Sequence, residues 1–532
     1  MLSIPTTYDD KTKVWSGMKL ESVYKNDTSV GKIIFKTMRN WPRNVCQISD
    51  TENVTVTYGQ ALTWATRVAL YLKKSGYNHT DVIGISAKNS TYVMPVAVAC
   101  LMNATPFHSV NPLLDGGTIK HLFNITKPKV VFCDAADYDK VHSATSEFQP
   151  IIITLTGHLD GIQKIEDLFE PSHAEMFYEP EPLQDEFQTV AILCSSGTTG
   201  LPKAVCVPNG VLIQDSMAIN SELIYFVSAS LDWITGLWAF VFSAVFGATR
   251  IITTSPFDPA NFSRMVEKYK INYCIIPPEH ISSLVDCPEA TSERLASLRR
   301  LNYGGGLVTV ATLKNIQSLC PNAIISSAYG MTEVGSIALN LGQVKLSAAG
   351  KPLPGKRIRI INEQGKNLGY HEIGEICVHT GRVWSGYYNN PEESHRVQDD
   401  EGWFHTGDMG YFDEDNYLYI VDRQKEVRKY KGLQYWPTEI ENVIAELPDV
   451  VRVCVVGIYD EHYGDEAGAL VVKRKGSDLS ANDIIEHVAK RLLDTQKQIR
   501  AGVFFTDKMP ANLNGKVMRK AAHDAFIALS KK

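Results

Sequence analysis

The run Leu193-Cys194-Ser195-Ser196-Gly197-Thr198-Thr199-Gly200-Leu201-Pro202-Lys203 concentrates hydroxyls, glycines and one ammonium in a short stretch. Gly197 and Gly200 let the backbone approach a ligand closely and take positive φ. Successive N–H groups in such a turn form an anion-binding nest. The hydroxyls of Ser195, Ser196, Thr198 and Thr199 add donors, and Lys203 adds a full positive charge. A polyphosphate suits this set. The order differs from the common P-loop, in which Gly, four residues and Gly-Lys-Ser/Thr lead into a helix; here it is Gly197-x-x-Gly200-x-x-Lys203 with Pro202 before the lysine. In isolation the same run reads equally well as a surface turn with a solvated lysine.

A second glycine-rich stretch, Gly304-Gly305-Gly306, follows the apolar Leu301-Asn302-Tyr303. Bare backbone there allows a flat ring to lie against it, although a tight turn would need the same residues. Further along stand Tyr329-Gly330-Met331-Thr332-Glu333, then Trp403-Phe404-His405-Thr406-Gly407-Asp408 running to Asp422-Arg423, then Lys429-Tyr430-Lys431-Gly432, and finally Asn514-Gly515-Lys516. Together with the first run, these stretches resemble the signatures of the adenylate-forming superfamily in its order and at about its spacing. That superfamily holds acyl-CoA synthetases, 4-coumarate–CoA ligases, beetle luciferases and the adenylation domains of peptide synthetases. The resemblance covers nearly the whole chain.

The chemistry implied is the activation of a carboxylic acid. A carboxylate resists nucleophiles; joined to AMP it becomes a mixed anhydride with a good leaving group. The carboxylate must attack the α-phosphate while pyrophosphate leaves, so donors and cations must face the phosphates where charge grows. By resemblance, Ser195 to Lys203 would hold the β- and γ-phosphates, and Gly304 to Gly306 would face adenine. Tyr329, Gly330, Met331 and Thr332 would line the α-phosphate, with Thr332 donating to it. Glu333, with Thr199, would hold Mg²⁺, a hard cation suited to oxygen ligands. Asp408 would accept both ribose hydroxyls, since a carboxylate accepts without donating, and Arg423 would bond the same sugar. Lys516 would reach the α-phosphate and the acyl carboxylate. After a swing about Lys425, a second face at Lys429, Lys431 and Gly432 would meet the pantetheine thiol of CoA.

These residues need elements to position them. The chain of 532 residues is long enough for more than one domain. Leu62, Ala65, Val68, Ala69 and Leu72 mark one helix face ending at Gly76, and apolar runs at Val82–Ile85, Val130–Cys133, Ile151–Thr154 and Thr189–Leu193 read as buried strands. This βα alternation predicts helix-covered parallel sheets. Ser230 to Phe246 is nearly all apolar and predicts a buried helix. Beyond about Leu341, short β-like pieces at Arg357–Ile361, Glu375–Val378 and Tyr417–Val421 predict a barrel-like section. After Arg423 the pattern becomes α+β, with Ile440, Val443, Ile444 and Leu447 on one helix face, a strand at Val450–Val456 and a capping box at Ser480-Ala481-Asn482-Asp483. The expected class is α/β: a large N-terminal domain, 1–423, of helix-covered sheets plus a distorted small β-barrel, then a small mobile α+β domain, 424–532.

A formal net charge of -6 argues against nucleic acid as the main partner. No apolar run reaches membrane-spanning length, and Met1 to Lys13 lacks the apolar stretch of a signal peptide. Ten scattered cysteines without CxxC pairs read as buried thiols, not as a disulfide framework or zinc site. A cytoplasmic location is expected; the ending Ser530-Lys531-Lys532 departs from Ser-Lys-Leu, and peroxisomal relatives keep that compartment open. The sequence also departs from relatives in carrying Lys203-Ala204-Val205 and Pro208-Asn209, and the beetle luciferase His pair falls at Asp232 and Trp233. Trp233, Tyr303, Ser336 and Ile337 are expected to share an acyl-pocket wall suited to a fatty or aryl acid. The expected function is an ATP-dependent acid–CoA ligase using ATP, Mg²⁺ and CoA. A luciferase-type monooxygenase and a non-catalytic nucleotide-binding relative are the alternatives.

Overall fold

The computed structural model describes residues 4–19, 24, 28–195, 202–213, 220–306, 308–382, 384–512 and 515–531. Two of its sheets are built around parallel strands. In the first, the order is Ala204–Pro208, Thr189–Cys194, Phe107–Ser109, Ile83–Ser86, Val130–Cys133, Ile151–Thr154. Every residue of Ile83–Ser86 and Val130–Cys133 is buried, as covering on both faces requires of parallel strands. Ala204–Pro208 alone runs antiparallel, with Ala204 opposite Cys194. The hydroxyl-rich run therefore leaves the carboxyl end of a parallel strand and returns beside it, where open α/β sheets bind ligands.

The second sheet has nine strands, in the order Lys351–Pro352, Gly335–Asn340, Ile324–Met331, Arg300–Gly304, Tyr273–Ile275, Ile224–Val227, Thr249–Ile252, Val45–Ser49, Val54–Thr57. Arg300–Gly304 delivers the glycine triplet at its carboxyl end. Ile324–Met331 and Gly335–Asn340 form an antiparallel pair whose turn holds Thr332, Glu333 and Val334. The expected buried helix is Ile234–Phe246, and Gly236 through Val245 are all buried. It stops at Gly247, where φ is +75° and an added Cβ would sit 1.9 Å from the Trp41 ring; both demands select glycine.

The third sheet is antiparallel: Thr6–Asp9, Val14–Gly17, Arg357–Ile361, Gly374–His379, Phe404–Phe412, Leu418–Arg423. The barrel-like section was expected only after Leu341, yet its first two strands come from the N-terminal end. Trp15, fully buried, stacks on Phe412 with ring centroids 4.2 Å apart. The chain leaves this sheet at Arg423 and enters a fourth at Arg428. That sheet joins Leu433–Tyr435, Arg428–Tyr430, Gly464–Lys473 and Val450–Asp460, with Ile499–Phe505 parallel to Gly464–Lys473. Ile440, Val443 and Ile444 of the helix Pro437–Ile444 pack into its core with Ile484 and Val488 of the helix Ala481–Arg491. Ser480 and Asp483 make the expected reciprocal cap. The fold class is thus the one the sequence implies. All ten cysteines are free. Among the described residues no helix is long and apolar enough to cross a membrane.

Candidate functional site

The stem of the hydroxyl-rich run is closed by Ser195 N–H donating to the Lys203 carbonyl at 2.9 Å and Lys203 N–H to Ser195 Oγ at 3.1 Å. Ser196, Gly197, Thr198, Thr199 and Gly200 lie outside the described residues. The Lys203 ammonium pairs with Glu393 and lies 4.7 Å from the centre of the Tyr387 ring. Arg396 and Lys203 together hold the Glu393 carboxyl down at about 2. The Tyr387 hydroxyl in turn donates to Glu333 Oε1 at 2.9 Å. Lys203 is therefore linked through Tyr387 to the turn after Met331, two regions that the sequence alone leaves unconnected. Burial raises the Glu333 carboxyl above its ordinary value, while the Tyr387 hydroxyl, Arg423 and Lys203 act in the other direction. A carboxylate that burial disfavours gains from a hard cation, so Glu333 fits the Mg²⁺ role.

Asp408 is presented by a bulge. Glu375 pairs with Met409 and Cys377 with His405, so Thr406, Gly407 and Asp408 stand opposite Ile376 alone. Gly407 takes φ +67° to make that bend. Asp408, only 6 % exposed, accepts from the Tyr329 hydroxyl at 2.6 Å and pairs with Arg423 at 3.2 Å. The structure thus brings Tyr329, Asp408 and Arg423 together as a carboxylate held between a phenol and a guanidinium, an arrangement that can accept a diol.

The bulge has its own clamp. Glu375 Oε1 accepts the Gly407 N–H at 3.1 Å, and Glu375 Oε2 lies 3.0 Å from His405 Nδ1. Cys377 Sγ is 3.6 Å from the same nitrogen, and the three ligand-type atoms lie within 4.8 Å of one another. Cysteine spacing could not reveal this trio. Cys377 and Glu375 lift the His405 imidazole to about 10 despite its burial. With His405 charged between Glu375 and Cys377 and Glu375 accepting the Gly407 N–H, the trio can clamp the Asp408 bend. A folded-state pKa above the unfolded value stabilises fully below about 6.5 and loses that contribution as pH rises through about 10. Melting temperature should therefore fall from pH 7 to pH 10. His405→Gln should flatten that slope, by an amount worth about 1 kcal/mol after solvent screening. Parallel pH–melting curves for the two proteins would remove the clamp.

Lys516 is an exposed residue whose ammonium is partly desolvated by neighbouring protein. Its ammonium pKa is lowered by that desolvation and by Arg423, while Asp408 and Glu333 oppose the shift. The lysine near the C-terminal end is therefore within electrostatic reach of the ribose and metal candidates Asp408 and Glu333. Its turn is closed by Asn512 N–H to the Lys516 carbonyl at 2.9 Å and Lys516 N–H to Asn512 Oδ1 at 3.0 Å. Arg519, three residues on, was not singled out by sequence. It pairs with Glu441 in the fourth sheet's helix and with Asp422 at 3.9 Å and Glu426 at 3.6 Å in the connecting segment. A lone arginine in a polar helix start carries no sequence signal for that role.

Gly304 ends its strand, and a Cβ there would lie 2.7 Å from the Ala328 carbonyl oxygen; Gly305 takes φ +84°. Lys429 is on the strand Arg428–Tyr430, and Lys431 and Gly432 both take positive φ in the tight turn to the edge strand Leu433–Tyr435. The four residues expected at the acyl pocket differ in their surroundings. Ile337 is fully buried in the core around Trp15 and Ile358, Tyr303 is buried in a separate core with Leu301 and Leu313, and Ser336 and Trp233 remain partly accessible. Ile337 is a core residue because Gly335–Asn340 is sandwiched between the third sheet and its own.

A family model described as AMP-binding enzyme matches residues 34–388, and one described as AMP-binding enzyme C-terminal domain matches residues 439–516. A 4-coumarate–CoA ligase 3 of Oryza sativa subsp. japonica is 26% identical over 513 residues, covering 93% of this chain and 92% of its own. The luciferin 4-monooxygenase of Photinus pyralis is 28% identical over 528 residues, 95% of this chain and 96% of its own. Among solved structures, ATP-bound MatB from Rhodopseudomonas palustris matches with a TM-score of 0.84 at 22% identity, over 94% of this chain and 99% of that one, a likeness of fold. The first family model spans well over half of the chain, through the hydroxyl-rich run and the Tyr329 to Glu333 turn, and on this ground the chain belongs to the AMP-binding enzyme family, the adenylate-forming superfamily.

Proposed function

We propose that this chain is an ATP-dependent acid–CoA ligase, which joins a fatty or aryl carboxylic acid to AMP and then passes the acyl group to the thiol of CoA. The observation that carries this reading is that Tyr329, Asp408 and Arg423 are bonded together, with Lys516 from the C-terminal part within electrostatic reach of them and of Glu333. In the first step an acid oxygen attacks the α-phosphorus and pyrophosphate departs. Lys203 and the hydroxyl-rich run hold the departing phosphates, Thr332 donates to the α-phosphate, and Asp408 and Arg423 fix the ribose. Lys516 binds the two oxyanions that must approach each other. Glu333, with Thr199, would hold Mg²⁺, which supplies charge neutralisation on the phosphates when bound.

In the second step the CoA sulfur attacks the acyl carbon and AMP leaves. This reading divides the chain into 1–423 and 424–532, turning about Lys425, with the Lys429 to Gly432 turn guiding pantetheine. An added Cβ at Gly432 would meet nothing within 4 Å, which leaves room for a thin chain to pass. A cytoplasmic location accompanies the reading. Pyrophosphate release measured across short- to long-chain fatty acids and cinnamic-type acids, with and without CoA, tests it. Acid-dependent pyrophosphate and AMP are expected, with thioester only when CoA is present, and no light with luciferin and oxygen. Release of phosphate in place of pyrophosphate, or no AMP across the panel, would overturn it.

A further inference from the structure

The helix Pro278–Val285 begins beside the glycine triplet, where an added Cβ on Gly306 would lie 3.5 Å from Pro278. It carries an acid at each end, Glu279 in its first turn and Asp286 at its C-cap. Both are gripped by arginines from the fourth sheet and its edge. Arg452, in the strand Val450–Asp460, pairs with Glu279 at 3.2 Å, and Arg474 pairs with Asp286 at 2.9 Å. Glu279 suits a helix start, but an acid at the C-terminal end opposes the helix dipole. The helix itself gives no reason for Asp286; its arginine does.

Arg452 has a second contact. While one end of its guanidinium meets Glu279, Nη2 donates to the Gly515 carbonyl at 2.6 Å. That carbonyl belongs to the peptide leading into Lys516. Gly515 is itself pressed against the helix: it takes φ +75°, and an added Cβ would lie 2.5 Å from Glu279 Oε2 and 3.1 Å from Glu279 Cβ. The planar fork thus spans two partners at once from two fixed nitrogens, a separation that a point-like ammonium does not provide. The turn before Lys516 is fixed from one side by Arg452 and from the other by Glu279.

We infer that Glu279 and Arg452 are positioning residues for Lys516, clasping its turn against the nucleotide half of the cleft for adenylate formation only. The inference rests on the proposed ligase reading. Misplacing a reacting group by about an ångström can cost about 10²-fold in rate, whereas a step that does not use Lys516 in this pose should not depend on the clasp. The Arg474–Asp286 pair, at the far end of the same helix, is the outer part of the grip.

The test separates the two half-reactions. Pyrophosphate exchange reports adenylate formation, using the panel acid that the wild-type chain activates fastest; thioester formation from the synthetic adenylate of that acid and CoA reports the second step. Glu279→Gln, Arg452→Gln and the double variant are compared with Lys516→Ala. Each single variant should lower exchange by about 10-fold or more. The double variant should be no worse than the poorer single, as for residues acting as a unit, and thioester formation from the adenylate should stay near wild type. Should Arg452→Gln melt early, Arg452→Lys, which keeps the charge and loses the fork, should show the same split. Unchanged exchange in the Glu279 and Arg452 variants beside a crippled Lys516→Ala overturns the clasp alone. So does equal loss of both steps in variants that melt normally. Normal exchange in Lys516→Ala overturns the role of Lys516 on which the clasp depends, and absence of acid-dependent exchange in the wild-type chain overturns the ligase reading itself.

Discussion

Lys516→Ala should lower acid-dependent pyrophosphate exchange by about 10²-fold or more, the loss seen when one preorganised donor is removed from an oxyanion site. Two anions, a carboxylate and an α-phosphate, must be brought together, and the acidic groups Asp408 and Glu333 are already within electrostatic reach of Lys516. A mobile ammonium between them offsets that charge at the atoms where it grows. Its pKa is lowered by burial and by Arg423, which reflects unsatisfied positive charge that incoming anions would relieve. Stability should hardly change, because the Asn512 contacts that close the turn are made by the Lys516 backbone. Equal melting temperatures with a collapsed exchange rate are the expected pair of results; near-normal exchange would strip Lys516 of its role.

The parts legible in the sequence were those encoded locally. Val130–Cys133 and Ile151–Thr154 form strands with the bounds read from their apolar runs; the first is buried throughout, as covering on both faces requires, while the second lies at the sheet edge with Ile151 exposed. The Ser480 cap was legible for a similar reason: both partners lie within four residues. What escaped is non-local. The hairpin Thr6–Gly17 is polar and short, and its place in the barrel is set by pairing Arg357 with Ser16 across most of the chain. Tyr387 and Glu393 look like loop residues until folding sets them against Glu333 and Lys203. That Ile337 packs with Trp15 and Ile358 was equally invisible, because adjacency in a motif says nothing about which core a strand residue enters. Motifs named the chemistry; the charges that hold those motifs in place come from distant strands and helices.

Asp408→Ala should be the most damaging change on the nucleotide side. The carboxylate is buried and answers two donors at once, the Tyr329 hydroxyl at 2.6 Å and the Arg423 guanidinium at 3.2 Å. Removing it leaves a half-buried guanidinium and a half-buried phenol without their acceptor, and truncating one partner of a desolvated charge pair costs about 2–5 kcal/mol, so the lower end applies. At about 1.4 kcal/mol per decade, kcat/KM for ATP should fall by at least about 30-fold. Part of the loss will appear as lower stability, so the rate alone does not separate ribose binding from support of Tyr329 and Arg423. The sugar itself separates them. Wild type should prefer ATP to 2′,3′-dideoxy-ATP, since a carboxylate placed to accept the two hydroxyl protons loses those hydrogen bonds without them. The Asp408→Ala chain has no such carboxylate and should treat the two nucleotides nearly alike. A variant that still discriminates as strongly as wild type would mean that Asp408 only braces Arg423 and that the ribose is held elsewhere in the cleft.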